Sequence, residues 1–135
     1  MLNDYDVVVT ITAVKRSEIL AKTLDSFYVN MLRGMKTLIA INIDPIGADE
    51  SPEKCVDLCY KYADSVVIRL GDKPNFGYAW YWTWGVALTE SSPWLLNLED
   101  DWQLLRPVDI QEIFSILKKF PKLALLRFSL WPSDA

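Results

Sequence analysis

Histidine is absent from the 135-residue chain, and its absence removes several kinds of chemistry. A Ser-His-Asp triad, a histidine-ligated zinc ion and an imidazole general base all need this side chain. Any catalysis carried by these residues therefore depends on carboxylates, lysine, arginine or a metal ion bound by carboxylates.

Cysteine, positive charge and long apolar runs are also scarce. The two cysteines, Cys55 and Cys59, share a segment with helical spacing, where disulfide geometry is poor. We therefore expect reduced, buried thiols and a cytoplasmic setting.

Fourteen Lys and Arg stand against 18 Asp and Glu, a net charge of −4, so no nucleic-acid partner is expected. No apolar run has the length of a transmembrane segment, and residues 1–4 do not resemble the start of a signal peptide.

Two phosphate-binding motifs are missing from a chain that has only five glycines. The sequence G-x-x-x-x-G-K-[ST] does not occur, which excludes a P-loop enzyme. The sequence G-x-G-x-x-G does not follow the first apolar run, which excludes the dinucleotide-binding fingerprint.

An alternation of apolar runs and amphipathic segments is present throughout the chain. It predicts one α/β domain, residues 1–135, with a three-layer Rossmann-like architecture and a mostly parallel sheet. We expect Ser17 to cap the first helix and Gly34 to end it. The segment 78–88 has the aromatic alternation of a strand, but a crossover between parallel strands needs a helix, and we predict a helix with its aromatic rings in the core. The predicted strands are 6–12, 36–43, 65–70, 93–98 and 123–128, and the predicted helices are 17–34, 51–63, 78–88 and 107–120.

Three consecutive acids, Glu99, Asp100 and Asp101, follow the fourth predicted strand. In an open parallel sheet, ligands bind beyond the carboxyl ends of the strands. Adjacent carboxylates repel each other, and a hard cation such as Mg²⁺ or Mn²⁺ relieves that repulsion. A solvated acidic turn is the alternative, since charge clusters are usually exposed. The position after a buried strand favours the metal site.

Segment 96–102, LNLEDDW, resembles the acidic DxD-type motif of GT-A glycosyltransferases, in the Glu-Asp-Asp form of the N-acetylglucosaminyltransferase I type. Segment 13–17, AVKRS, resembles the family's segment after the first strand, whose arginine approaches the nucleotide. Segment 75–79, NFGYA, resembles the N-x-G-x-x segment that opens the helix before the acidic motif. The resemblance extends from about residue 7 to residue 131, depends on the order and spacing of these short motifs, and implies a GT-A fold.

The resemblance implies a role for each acid of the triplet. Asp101 would coordinate Mn²⁺ or Mg²⁺ at the diphosphate of a nucleoside-diphosphate sugar, with a UDP-sugar as the expected donor. Asp100 would approach the ribose or the sugar, and Glu99 would support the pair. A metal ion at this position stabilises the charge that develops on the departing diphosphate.

The resemblance also implies a wider nucleotide-sugar site. Asp44, after the second strand, would accept hydrogen bonds from the base or the ribose. Arg16 would neutralise phosphate charge, with help from Lys73. The other expected members of this site are Thr12, Ala13, Asn75 and Gly77.

The chain departs from the family in its second half. GT-A enzymes continue past the acidic motif with the acceptor site, the catalytic base and often a metal-binding histidine. We therefore expect only the donor-binding half here, with an unknown acceptor, a catalytic base beyond the chain end and self-association through surface such as residues 130–132. A non-catalytic α/β nucleotide-binding or interaction module remains an alternative. A nucleotidyltransferase and a receiver-like domain fit less well, because the first strand is followed by neither a glycine-rich loop nor acids.

Overall fold

The structure, a computed structural model, describes residues 4–90 and 92–127. Strands and helices alternate along this part of the chain, as the sequence predicts. The elements in chain order are β1 (Val7–Val14), α1 (Ser17–Phe27), β2 (Thr37–Asp44), α2 (Glu53–Tyr62), β3 (Ser65–Leu70), α3 (Phe76–Thr89), β4 (Leu95–Glu99) and α4 (Ile110–Lys119). Helix α1 runs on into a π-helical turn at Tyr28–Leu32.

The four strands form one parallel sheet in the order β3-β2-β1-β4. The chain moves outward from β1 through β2 to β3, then returns to the other side of β1 to form β4. The order therefore reverses between β1 and β4, where an open α/β sheet leaves a crevice at its carboxyl edge. This arrangement confirms the predicted α/β class with Rossmann-like topology.

Helices cover both faces of the sheet, which gives three layers. Strands β1 and β2 are buried along almost their whole length, as expected for central strands of a parallel sheet. The larger core lies between the sheet and helices α1 and α2, and it includes Leu20, Phe27 and the two free cysteines, Cys55 and Cys59. A smaller cluster around Val8 joins the opposite face to α3.

Helix α3 differs in part from the expectation. It is a helix, as predicted, but several of its aromatic rings lie outside the core. Tyr78, Trp80 and Tyr81 are 45%, 42% and 70% exposed. The helix instead packs through its small residues, with Ala79, Thr83 and Ala87 buried. The prediction that the aromatic residues are core residues is therefore wrong for these three rings.

Two further expectations are wrong. Ser17 is the first residue of α1 and not its cap; Arg16 holds the cap position without a side-chain hydrogen bond, and the Ser17 backbone N–H donates to Asp49 Oδ2 at 2.8 Å. The predicted strand at 123–128 is not formed over its described part, residues 123–127. Leu125 is 64% exposed there, and an apolar run becomes a strand only when a neighbouring strand takes its backbone hydrogen bonds.

Within the described ranges, no helix has both the length and the apolar character that crossing a membrane requires. Residues 130–132, where self-association was expected, lie outside the described residues.

Candidate functional site

The acid triplet and Arg16 meet at the carboxyl edge of the sheet, where the strand order reverses. Thr12 of β1 is paired with Glu99 of β4, so the segments that follow the two strands start side by side. The backbone N–H of Asp100 donates to Thr12 O at 3.2 Å, which extends this contact by one residue. The side chains that the sequence places at two strand ends are therefore neighbours in the fold.

Asp100 and Arg16 form the central ion pair of this site. Asp100 Oδ1 accepts from Arg16 Nη2 at 2.6 Å, and Oδ2 accepts from Arg16 Nε at 2.9 Å and from the Val14 backbone N–H at 3.1 Å. The two-point geometry is the strong form of an Arg–carboxylate pair. Hydrogen bonding to Asp100 raises the pKa of Arg16 above its ordinary value. Arg16 is thus a fixed cation between β1 and β4.

Asp101 has a different environment from its neighbour. The Asp101 side chain is 49% exposed, whereas that of Asp100 is 4% exposed. Its Oδ2 lies 3.6 Å from Arg16 Nη2, a longer contact than those of Asp100. Glu99, the last residue of β4, is partly buried. The triplet is therefore divided into one buried carboxylate bound by arginine and one carboxylate that faces solvent.

The donor set is small for a metal site made by protein alone. Within residues 4–90 and 92–127, no group of three or more His, Cys, Asp or Glu side chains is arranged to hold a metal ion. Asp100 is occupied by Arg16 and Val14, which leaves Asp101 as the exposed acid. Mg²⁺ commonly takes only one or two carboxylates together with substrate phosphates. The described protein side chains therefore do not complete a metal site by themselves, and an ion held at Asp101 would need further ligands from a bound group.

Asp44, at the end of β2, is buried and fixes the loop between β3 and α3. Its Oδ1 accepts from Asn42 Nδ2 at 2.9 Å, and its Oδ2 accepts from the Asn75 backbone N–H at 3.0 Å. A Cβ placed on Gly71 would lie 2.5 Å from Asp44 Oδ1. The loop backbone at Gly71 therefore approaches the Asp44 carboxylate more closely than a residue with a side chain could. A carboxylate has further lone pairs, and contact with a base or ribose would use those that remain.

The other expected residues are placed in different ways. Thr12 and Ala13 are buried near the end of β1. Asn75 caps α3 by accepting from the Tyr78 backbone N–H at 3.0 Å. Gly77 lies in the first turn of α3, and a Cβ there would meet only Asn75 Oδ1 at 3.8 Å, so its backbone does not require glycine. Lys73 is exposed in the loop between β3 and α3.

The site thus consists of two groups along one sheet edge. Arg16 and the acid triplet lie between β1 and β4, whereas Asp44 and Asn75 lie beyond β2 and β3. Among the described residues, no hydrogen bond or ion pair joins Lys73 or Gly77 to the acid triplet.

The N-terminus of α1 is closed by the chain itself. Asp49 Oδ2 accepts from the Ser17 N–H, and this backbone hydrogen bond lowers the pKa of Asp49. Lys15 N donates to Ile46 O at 2.7 Å, and Asp49 N donates to Lys15 O at 3.0 Å. In dinucleotide-binding folds, phosphate occupies this helix N-terminus. Here a carboxylate holds that position, which agrees with the missing glycine motif.

Sequence reasoning missed Asp49 and also Asn42 and Arg69. Arg69 Nη1 donates to Asn42 Oδ1 at 2.6 Å, and its guanidinium lies 4.4 Å from the centre of the Tyr78 ring. The sequence did contain one signal for Asn42. Asn42 and Asp44 are two positions apart at the end of an otherwise apolar strand, so both side chains point to the same face of the sheet.

Comparison with protein-family models finds no match to this chain, and comparison with curated proteins finds none either.

Proposed function

We propose that this chain is the donor-binding domain of a metal-dependent glycosyltransferase with a GT-A fold. It binds a nucleoside-diphosphate sugar, for which a UDP-sugar is the expected donor. It uses Mn²⁺ or Mg²⁺ as its cofactor. The observation that carries the proposal is the position of Arg16, Asp100 and Asp101 at the point where the strand order reverses.

The charge arrangement supports binding of a diphosphate. Arg16 Nε and Nη2 are directed to Asp100, whereas no hydrogen bond or ion pair of the described residues uses Nη1. The Arg16 side chain is 34% exposed, so Nη1 can donate to a phosphate oxygen without breaking the pair. Because Asp100 holds the guanidinium in place, little side-chain entropy is lost when the anion binds.

Asp101 is the carboxylate that would hold the metal ion. It is exposed, adjacent to Arg16 and at the carboxyl edge of the sheet. When bound, the ion supplies Lewis-acid stabilisation of the negative charge on the departing diphosphate. Arg16, whose Nη2 lies 3.6 Å from Asp101 Oδ2, would stabilise the same negative charge, and Glu99 adds to the field that favours a cation.

Asp44 and Asn75 support the nucleoside part of the ligand. They fix the loop that follows β3, which borders the same sheet edge as the triplet. A nucleotide that extends along this edge places its phosphates near Arg16 and its base or ribose near the Asp44 loop.

Calorimetric titration tests the proposal. UDP, GDP and UDP-N-acetylglucosamine are titrated with and without Mn²⁺ into the unaltered chain, into Asp101→Asn and into Asp57→Asn. Asp57 is an exposed acid on α2, an element that contributes none of the proposed site residues, so its variant removes the same charge from outside that set. We expect metal-dependent binding that weakens at least about tenfold, or about 1.4 kcal/mol, in Asp101→Asn only. Absent binding, or binding that ignores the metal and Asp101, contradicts the proposal.

A second function, a non-catalytic interaction module, is favoured by the outer face of α3. The helix contains no charged residue, and Phe76, Tyr81 and Leu88 are 59%, 70% and 80% exposed. Exposed apolar patches of this kind are typical of interaction sites. This function predicts no nucleotide binding in the titration above.

A further inference from the structure

One face of α1 binds the segment that follows β4. Residues 100–108 form neither helix nor strand, so their backbone groups need partners from elsewhere. Thr23, Ser26 and Asn30 supply such partners, and their spacing places them on one side of the helix and of its π-helical turn.

The lower part of this contact involves Ser26 and Asn30. Ser26 Oγ accepts from the Leu104 N–H at 3.0 Å, and Asn30 Nδ2 donates to Leu104 O at 2.8 Å. The Val108 N–H donates to Asn30 O at 2.8 Å. The segment is therefore tied to α1 at both Leu104 and Val108, and it cannot shift along the helix without losing these bonds.

The upper contact reaches the acid triplet itself. Thr23 is fully buried, and its Oγ1 donates to the backbone carbonyl of Asp100 at 2.6 Å. The Asp100 N–H donates to Thr12 O of β1 at 3.2 Å. Asp100 is thus held on one side by the sheet and on the other side by α1.

This geometry determines the direction of Asp101. The Asp100 carbonyl and the Asp101 N–H belong to one planar peptide unit, so fixing the carbonyl fixes the plane from which Asp101 leaves. The carboxylate of the same Asp100 accepts from Arg16 Nε at 2.9 Å and from Arg16 Nη2 at 2.6 Å. A shift of the carbonyl would move both carboxylates relative to the guanidinium.

We propose that Thr23 is the positioning residue of the acid triplet: through its hydrogen bond to the Asp100 carbonyl, it sets both aspartate carboxylates relative to Arg16. Thr23 itself is buried and touches no ligand. The effect of this positioning on ligand affinity rests on the proposed function, whereas its effect on the triplet does not.

The test compares three substitutions. Thr23→Val keeps the shape of the side chain and removes the hydroxyl, and Thr23→Ser keeps the hydroxyl. Thr83→Val is the matched control, because Thr83 is also fully buried but donates within its own helix, to Trp80 O at 3.1 Å. All measurements are made on the whole chain at a temperature where each variant is folded.

The first readout needs no ligand. Nuclear magnetic resonance follows the Asp101 backbone N–H and the Arg16 Nε–H, whose hydrogen bond to Asp100 we expect to slow its exchange with water. We expect Thr23→Val to shift the Asp101 signal and to speed exchange of the Arg16 proton about tenfold, with the other two variants unchanged. Unchanged signals in a folded Thr23→Val overturn the proposal.

The second readout is the affinity for UDP in the presence of Mn²⁺. Loss of a residue that orients a metal ligand typically weakens binding by 10- to 100-fold, and we expect about tenfold in Thr23→Val, with recovery in Thr23→Ser. Equal affinity in Thr23→Val and Thr83→Val overturns the link to the ligand. If the unaltered chain binds no nucleotide while the first readout responds, the proposed function fails and the positioning role stands.

A measurement on the unaltered chain covers the case in which Thr23→Val does not fold. A buried hydroxyl proton that is donated to a carbonyl exchanges slowly and shows a through-space contact to the adjacent Asp101 N–H. Observing that contact supports the proposal, and a Thr23 hydroxyl proton in fast exchange with water overturns it.

Discussion

The stability of Asp100→Asn, compared with that of Asp101→Asn, distinguishes the buried acid of the triplet from the exposed one. Asp100 accepts three hydrogen bonds, from Val14 N, Arg16 Nε and Arg16 Nη2, with its side chain 4% exposed. Asparagine keeps one acceptor oxygen and presents an NH₂ group to a cation that can only donate. At least one charge-assisted hydrogen bond is lost, and a buried donor is left without a partner.

The size of the effect follows from the exposure of the partner. Removal of one member of a fully buried ion pair costs about 3–5 kcal/mol. The Arg16 side chain is 34% exposed, so water recovers part of its hydration, and we expect a loss of about 2–3 kcal/mol for Asp100→Asn. Asp101 is half exposed and lies 3.6 Å from Arg16, so Asp101→Asn should cost less than about 1 kcal/mol.

Urea unfolding, followed by far-ultraviolet circular dichroism, measures both variants. A lower midpoint with an unchanged slope means that stability has changed and that the extent of unfolding has not. The reasoning is refuted if the two variants differ by less than about 0.5 kcal/mol, because the division of the triplet into a buried acid and an exposed acid would then be wrong.

The remaining predictions concern the cysteines and the glycines. Burial raises the pKa of Cys55 and raises that of Cys59 to about 12, so neither thiol should react with a disulfide reagent at pH 8 until the chain unfolds; fast reaction of the folded protein contradicts this. Gly71→Ala places a Cβ against the Asp44 carboxylate and should lower the free energy of unfolding in urea by about 1–3 kcal/mol. Gly85→Ala places a Cβ in open space in α3 and should raise the free energy of unfolding by about 0.5–1 kcal/mol. Equal effects of the two substitutions would contradict the close approach of Gly71 to Asp44.

The sequence predicts strand positions well where the signal is local. The predicted strand 65–70 coincides with β3, and the other three described strands differ from the prediction by one or two residues at their ends. Apolar β-branched runs, bounded by polar or turn residues, mark strands that are buried on both faces. The run at 123–128 has the same composition, yet its described part is not a strand, because pairing depends on a partner that composition does not reveal.

Hydrogen-bond partners that are distant in the sequence could not be predicted from local patterns. Ser17 is a good capping residue by type, but the α1 N-terminus is capped by Asp49, 32 positions away. Thr23 carried no signal in the sequence, since a threonine on an apolar helix face is ordinary, and its partner is Asp100, 77 positions further on. The positions of both contacts depend on how the loops pack.

By itself, the sequence determined the α/β alternation, the parallel sheet and the presence of Arg16 and three acids at strand ends, because periodicity and charge are local properties of the chain. The tertiary structure alone decided the strand order β3-β2-β1-β4, which brings Arg16 beside the triplet. It also decided that Asp100 is the buried partner and Asp101 the exposed one. Adjacent acids have the same chemistry in the sequence, and only the packing of β1, α1 and the segment after β4 gives them different surroundings.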